Sequence, residues 1–167
     1  MARLPLAAAL ILAAAAGFGP AAAADRVTPS GMAVPRYITL KAKGVNARVG
    51  PSEDHRILWI YNTPGLPVQV IAETKMWRKI CDPAGRTAWV TSGATSGRRS
   101  VIRLAAGALP LRRQPSAKAG VGAWLAPRSL AALHRCKAGW CKLSAGGAEG
   151  WAPAAAVWGT DERPQCR

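Results

Sequence analysis

Apolar and polar residues alternate over short stretches along most of the chain, and this pattern predicts β-strands. In LPVQVIAE, residues 66–73, Leu66, Val68 and Val70 fall on one face, which is the period of a half-buried strand. Turn sequences such as DPAG at 82–85 and SAGGAEG at 144–150 separate these stretches. With 17 glycines and 13 prolines, the chain is poorly suited to long helices. We therefore expect an all-β protein, even across the alanine-rich stretch APRSLAALHRC.

The N-terminus shows a different pattern, a single apolar run from Leu4 to Phe18. Arg3 precedes this run and the small residues Ala22-Ala23-Ala24 end it, which is the order of a secretory signal peptide. The alternative is a membrane anchor, but Pro5, Gly17 and Pro20 interrupt an apolar stretch that is already short. We predict cleavage before Asp25, location in the periplasm or outside the cell, and no transmembrane segment afterwards.

Three landmarks recur at nearly constant spacing in the two halves of the remaining chain. Pro51-Ser52 matches Pro115-Ser116 at an offset of 64, Trp77 matches Trp140 at 63, and Trp89 matches Trp151 at 62. A repeat of this length with about five short strands in each copy indicates two small barrels or sandwiches. The predicted organisation is a signal peptide at 1–24, a linker at 25–35, domains at 36–104 and 105–159, and a tail at 160–167.

The motif that opens each copy carries a resemblance to a known family. The pattern V-N-x-R-x-G-P-S, then W-x-x-[IL], then a turn and W-V, resembles bacterial SH3-like domains, in the tandem form of proteins secreted by Gram-negative bacteria. The first copy matches it in full from Val45 to Ser52, whereas the second has Pro110 for the Asn and Gln114 for the Gly. The resemblance implies an all-β fold of two tandem SH3-like small β-barrels packed together.

The same resemblance implies a non-catalytic module that recognises cell-wall peptidoglycan, through its stem peptide or its glycan. The alternative is a periplasmic adaptor that binds a peptide of a partner protein. We expect the ligand-binding residues to be Arg48, Trp77 and Asn46, although Asn46 also suits a purely structural turn. We expect Trp89 and Trp151 to fill the barrel cores. Trp77 and Trp140 follow loop tips, where a half-exposed ring could contact a ligand, but core packing is the favoured interpretation for each of them.

The net charge of +15, which becomes +14 when the signal peptide and its Arg3 are removed, favours contact with polyanions. Export makes anionic lipids or acidic glycans better candidates than nucleic acid, so we expect no nucleic-acid partner in vivo. A basic surface that only keeps the protein in solution is the other interpretation.

The 4 cysteines all follow the predicted cleavage site, where an even number indicates disulfides. In CKAGWC, Cys136 and Cys141 would oppose each other across a hairpin, at the Cα separation of about 4.5–5.5 Å that a disulfide tolerates. Leu133 and Leu143 would then be one residue out of opposition, which predicts a β-bulge. Cys81 and Cys166 remain as the second pair. Zinc bound by His134 and this CxxxxC is a weaker alternative.

The sequence indicates no catalytic set. His55 and His134 have no nucleophile in a known spacing, the 8 acids form no paired pattern, and NARVGPS lacks the Gly-Lys-Ser ending of a phosphate loop. We therefore expect neither an enzyme nor a cofactor or metal site.

Overall fold

The computed structural model describes residues 28–161 and 163–166, so the predicted signal peptide lies outside the described residues. None of the described helices has the length and apolar character needed to cross a membrane. Within this part of the chain the first domain is a seven-stranded sheet in the order β3-β2-β6-β5-β4-β1-β7. Its strands are β1 (Arg36–Leu40), β2 (Val45–Arg48), β3 (Ile57–Tyr61), β4 (Pro67–Glu73), β5 (Trp77–Cys81), β6 (Thr87–Thr91) and β7 (Thr95–Ser96).

The second domain repeats this topology in a six-stranded sheet of the same described region, in the order β10-β9-β13-β12-β11-β8. An antiparallel bridge between Ile102 and Trp158 stands where β7 stands in the first domain. The strands are β8 (Ser100–Ile102), β9 (Leu109–Arg112), β10 (Val121–Leu125), β11 (Leu130–Lys137), β12 (Trp140–Ala145) and β13 (Ala148–Pro153). The two domains are thus the two copies of the sequence repeat.

Each sheet curls around its own core, and matching strand positions fill the two cores. Side chains that alternate along the strands point inward, as their period requires. The first core contains Ile38, Leu40, Val45, Ala47, Tyr61, Val68, Val70, Ile80, Ala88 and Val90. The second contains Val101, Leu109, Leu111, Leu125, Ala131, Cys141, Leu143, Ala152 and Val157.

Gly150 stands in the second domain where a side chain would not fit. A Cβ there would lie 2.7 Å from the Cβ of Leu111 and 2.9 Å from its carbonyl carbon. At the matching positions the first domain has Ala47 and Ala88, both buried in its core. Leucine and glycine together are bulkier than two alanines, so the two cores are filled differently at these positions.

Irregularities also recur at matching places. The β4–β5 ladder shifts register between Val70 and Ala72, and the β11–β12 ladder shifts between Leu133 and Arg135. The second shift is the bulge predicted from the hairpin, since Leu133 and Leu143 are paired and so are Cys136 and Cys141. β11 also shows that the alanine-rich stretch is a strand.

Both predicted cysteine pairs are disulfides in the structure. Cys136 and Cys141 are joined across the β11–β12 hairpin at a Cα separation of 4.0 Å, closer than the predicted range. Cys81 and Cys166 are joined at a Cα separation of 5.7 Å. Cys81 lies on the outer side of β5, as predicted, but it is fully buried because the tail covers it.

The C-terminal tail ties the second domain back to the first. Gln69 is fully buried, and its side chain donates to the carbonyl of Arg163 at 2.9 Å and accepts from the N–H of Gln165 at 2.8 Å. The ring of Tyr37 meets the ring of Trp158 edge to face, with centroids 5.1 Å apart. The tail thus satisfies a buried polar side chain that would otherwise destabilise the first sheet.

β8, which precedes the predicted domain boundary after residue 104, pairs with β11 of the second sheet. Two sequence expectations need correction. Each copy has more than the five strands expected. Trp89 and Trp151 do not fill the cores: each alternates with two buried neighbours and therefore lies on the outer face of its sheet.

Candidate functional site

The opening loop of the first domain, residues 49–56, connects β2 to β3 and is held by Arg48. The Nη1 atom of Arg48 donates a hydrogen bond to the carbonyl oxygen of His55 at 2.7 Å. The His55 ring lies against Gly50, where a Cβ would come within 2.4 Å of the imidazole. A side chain at position 50 would therefore displace the exposed His55 ring from this place.

Trp77 begins β5 and is fixed by a tight turn. Its N–H donates to Thr74 Oγ1 at 3.1 Å, and the N–H of Thr74 donates to the carbonyl of Trp77 at 2.8 Å. Trp77 is 8% exposed, so it is buried, as the favoured interpretation expects, and not half exposed. The short 3-10 helix Ser92–Ala94 lies beside this turn, and its Ser92 N–H donates to the carbonyl of Met76 at 2.8 Å.

The structure brings Asn46, Arg48 and Trp77 together along one groove of about 260 Å³. Asn46 is exposed on β2, two residues before Arg48, so both side chains point to the outer face of the sheet. A neighbouring depression of about 450 Å³ shares Glu53 and Trp77 with this groove. The two together are termed the first-domain groove.

Other residues of the first-domain groove were missed by sequence reasoning. Lys43 and Thr91 line its first part, and Met76, 63% exposed, lines the second. Glu53 stands in the opening motif, and its charge was a signal that could have indicated it. Thr91 and Met76 come from the ends of other strands, so their arrival at the groove depends on the fold.

Two matches to one protein family agree with this fold and with the sequence repeat. The family model of the bacterial SH3 domain matches residues 41–97 and again residues 105–159.

The chain belongs to the bacterial SH3 domain family.

The predicted fold class, two tandem SH3-like domains in an all-β protein, is thereby confirmed. The first-domain groove lies in the first SH3 domain, between its opening loop, the start of β5 and the 3-10 helix after β6.

Likenesses to solved structures are weaker. NlpC1 from Trichomonas vaginalis is similar over 74% of this chain and 45% of its own, with 10% identity and a TM-score of 0.34. NlpC2 from the same organism is similar over 74% of this chain and 47% of its own, with 11% identity and a TM-score of 0.33. The chain thus spans about half the length of these proteins. Comparison with curated proteins gives no match.

The second SH3 domain closes its opening loop, residues 113–120, in the same way but with different neighbours. Arg112 Nη1 donates to the carbonyl of Ala119 at 2.6 Å, as Arg48 does to His55. Since Ala119 has no ring, position 114 does not need glycine and is Gln114. The Arg is therefore a structural part of both loops, in addition to any ligand contact that Arg48 makes.

The buried carboxylate of Glu73, the last residue of β4, holds the segment that precedes β1. Glu73 pairs with Arg36 at 2.5 Å and accepts hydrogen bonds from the Ser30 hydroxyl and, at 3.1 Å, from the Ser30 N–H. Burial alone would raise the pKa of Glu73, but the hydrogen bonds from Ser30 and Arg36 outweigh it and lower the pKa to about 2. Burial of the Arg78 guanidinium, together with repulsion from Arg36, lowers the pKa of Arg78. Residues of the predicted linker are thus docked on the domain.

Another cleft, of about 470 Å³, lies against Tyr37, Trp158 and the tail. Its cations are engaged by the protein itself: Arg103 Nη1 donates to the carbonyl of Ala156 at 2.7 Å, and Arg163 pairs with Asp161 at 2.6 Å. Burial, with the nearby carboxylate of Asp161, raises the pKa of Tyr37 to about 12. This cleft contains none of the predicted ligand-binding residues, and we place the candidate site at the first-domain groove.

No group of three or more metal-ligating side chains occurs among residues 28–161 and 163–166. The cysteines of the zinc alternative, Cys136 and Cys141, are bonded to each other. A disulfide withdraws both thiolates from metal binding.

Proposed function

We propose that this protein is an exported, non-catalytic binding protein whose first SH3 domain binds peptidoglycan through the first-domain groove. The observation that carries the proposal is the convergence of Asn46, Arg48 and Trp77 on one groove together with Glu53. Three of these residues, Asn46, Arg48 and Trp77, were predicted from the sequence alone.

The chemistry of the groove favours the stem peptide over the bare glycan. Lys43 and Arg48 can bind a carboxylate, whereas Glu53 can bind an ammonium group. Arg48 uses one N–H on the His55 carbonyl, and a guanidinium has five N–H donors. Opposite charges in one groove suit a zwitterionic peptide, with the ring of Trp77 packed against its apolar atoms.

The shape of the groove fits an extended ligand. Its two parts, about 260 and 450 Å³, adjoin at Trp77 and Glu53, so one chain can pass from Asn46 to Met76 across the indole. Side chains of such a ligand would alternate between the two parts, and the exposed Met76 would supply an adaptable apolar contact.

The disulfides support the proposed location in the periplasm or outside the cell. Disulfides that persist are typical of oxidising compartments, and this chain forms two of them. Peptidoglycan is a ligand of such a compartment, whereas intracellular peptides are not.

The test is a pull-down with purified peptidoglycan sacculi, with affinity measured at low salt and at about 0.5 M salt, where screening removes most exposed charge attraction. Glu53→Lys reverses a charge in the groove. Asp54→Lys is its matched control, because it makes the same change in the same loop at a residue that does not line the groove. Thr91→Tyr fills the groove without changing the charge.

We expect Glu53→Lys and Thr91→Tyr to weaken sacculus binding about tenfold or more, while Asp54→Lys leaves it within about threefold. Binding that disappears at the higher salt, or equal losses from Glu53→Lys and Asp54→Lys, would contradict the proposal. No sacculus binding combined with capture of a peptide-bearing protein partner that Thr91→Tyr abolishes would establish the adaptor function instead.

A further inference from the structure

A row of basic and aromatic side chains crosses four adjacent strands of the second SH3 domain. Arg135 on β11 is paired with Lys142 on β12, Lys142 with Trp151 on β13, and Trp151 with Arg112 on β9. Directly opposed residues share a face of the sheet, and the core residues Cys141 and Leu143 flank Lys142 on the other face. The Arg135 guanidinium lies 5.4 Å from the centre of the Trp151 ring. The row therefore stands on the outer face.

Exposed cations also follow the ends of the row along the chain. Arg113 and Lys118 are exposed in the opening loop that follows Arg112, and Lys137 is exposed on β11 opposite Trp140. The basic face is defined as these three residues with Arg112, Arg135 and Lys142, around the rings of Trp140 and Trp151.

The fold itself does not require four of these six cations, whereas Arg112 and Lys142 match Arg48 and Lys79 of the first domain. At the positions of Arg113, Lys118, Arg135 and Lys137, the first SH3 domain has Val49, Asp54, Ala72 and Thr74. The same topology forms there without a cation at any of the four positions. Charge that the scaffold does not use, gathered on one face, indicates a ligand of opposite sign.

Few acids compensate the charge of the basic face. Between residues 105 and 159 the sequence has one acid, Glu149, which pairs with Lys142 at 2.6 Å and lies 3.9 Å from His134. The hydrogen bond from Lys142 lowers the pKa of Glu149. The other five cations of the basic face have no acid from this part of the sequence to pair with.

We infer that the basic face is a second binding surface, for an acidic polysaccharide. Half-buried indole rings set among cations present an apolar surface to a sugar ring and charge to its acidic groups. Cations repeated across strands about 4.8 Å apart suit a linear chain with repeated anionic groups. This surface is independent of the proposed peptidoglycan groove, which lies in the other domain.

Two other polyanions fit less well. A membrane surface is bound by a polar face backed by a continuous apolar face that enters the lipid, but the outer positions of β12 and β13 mix aromatic, charged and polar residues: Trp140, Lys142, Ser144, Glu149, Trp151 and Pro153. Nucleic acid suits a basic and aromatic face, but the two disulfides favour an oxidising compartment, where it is not a usual ligand.

The test compares two variants that lose the same charge in different places. The face variant is Arg113→Gln, Lys118→Gln, Arg135→Gln and Lys137→Gln. The control variant is Lys41→Gln, Arg56→Gln, Lys75→Gln and Arg98→Gln, which removes four cations that are also exposed but lie outside the face. Binding to polygalacturonate, dextran sulfate, neutral dextran, phosphatidylglycerol vesicles and duplex DNA is measured for the full chain near 0.15 M salt.

We expect the unmodified protein to bind the carboxylated or the sulfated polysaccharide and not neutral dextran. Exposed ion pairs are individually weak, so the face variant should lose about tenfold in affinity and the control variant less than about threefold. Equal losses, or unchanged binding in both variants, would overturn the inference. Tighter binding to vesicles or DNA that depends on the same four residues would replace the polysaccharide with that ligand. The sacculus pull-down with Glu53→Lys tests the first-domain groove separately from the basic face.

Discussion

The two SH3 domains share a strand order, a bulge in each long hairpin and an arginine that closes the opening loop. They differ in the neighbours of these features. Gly50 with a histidine ring over it, His55, becomes Gln114 with Ala119, which has no ring. The second copy thus keeps the fold although its opening motif departs from that of the first.

The outer faces of the two domains have diverged much further. The first opening loop carries Glu53 and Asp54, whereas the matching positions of the second are Ala117 and Lys118. Gln69 and Cys81 of the first sheet lie under the tail, whereas the matching residues of the second sheet have no tail bonded to them. One scaffold therefore presents a groove of mixed charge in one copy and a basic face in the other.

The largest expected effect is a difference in stability between variants that lack one or the other disulfide. Cys81→Ala with Cys166→Ala opens a link with a sequence separation of 85, and chain entropy predicts a loss of about 4–5 kcal/mol in the free energy of unfolding. Cys136→Ala with Cys141→Ala opens a link with a separation of 5 and should cost about 2 kcal/mol. Urea denaturation of both double variants without reductant measures this order, and the reverse order would refute the view that the tail locks the domains together.

The second effect is a sensitivity to acid that comes from Glu73 of the first domain, where the second domain has Cys136 at the matching position. The pKa of Glu73 is lowered from 4.5 to about 2 in the folded protein, so its stabilisation is fully present above pH 4.5. Protonation removes it as the pH falls from 4.5 to 2, a loss of about 3 kcal/mol.

Free energies of unfolding between pH 7 and pH 2 test this. Glu73→Gln should be less stable than the unmodified chain at pH 7, and its stability should fall less steeply between pH 4.5 and 2. Parallel curves for the two proteins would show that Glu73 is not the titrating group.

The third effect concerns the close approach of Gly150 to Leu111. Gly150→Ala should cost about 1–3 kcal/mol, because its Cβ would lie 2.7 Å from the Cβ of Leu111 and 2.9 Å from the carbonyl carbon of Leu111. Leu111→Ala leaves both of these atoms in place, so it should not rescue Gly150→Ala. A double-mutant cycle measures this. A double variant that loses clearly less than the sum of the two single variants would show that the outer part of the Leu111 side chain, and not its Cβ and backbone, excludes a side chain at position 150.

The smallest effect distinguishes the two loop arginines. Arg48→Lys and Arg112→Lys should each cost about 0.5–1.5 kcal/mol of stability, since each weakens one loop-closing hydrogen bond. Only Arg48→Lys should also weaken sacculus binding, because Arg48 lines the first-domain groove. If both variants lose the same affinity for sacculi, binding depends on the overall positive charge of the protein and not on the first-domain groove.

Local patterns in the sequence were sufficient for the fold class, the repeat and one disulfide. Strand alternation and turn residues act over a few positions, so they remain legible in a single sequence. The spacing of CKAGWC determined both the Cys136–Cys141 bond and the bulge beside it, because a hairpin brings its own strands into register. The family motif likewise selected Asn46, Arg48 and Trp77, which the groove brings together.

Tertiary structure decided which face each large side chain occupies and which distant residues meet. Trp89 is large and apolar, yet its small neighbours Ala88 and Val90 fill the core, and the alternation of the strand turns the indole outward. Trp77 is covered by a turn and a 3-10 helix from another part of the chain, which no local pattern records. Glu53, Thr91 and Met76 reach the groove from three separate elements. Such contacts depend on how the sheet curls, and that curvature is set by the whole domain rather than by any one stretch of residues.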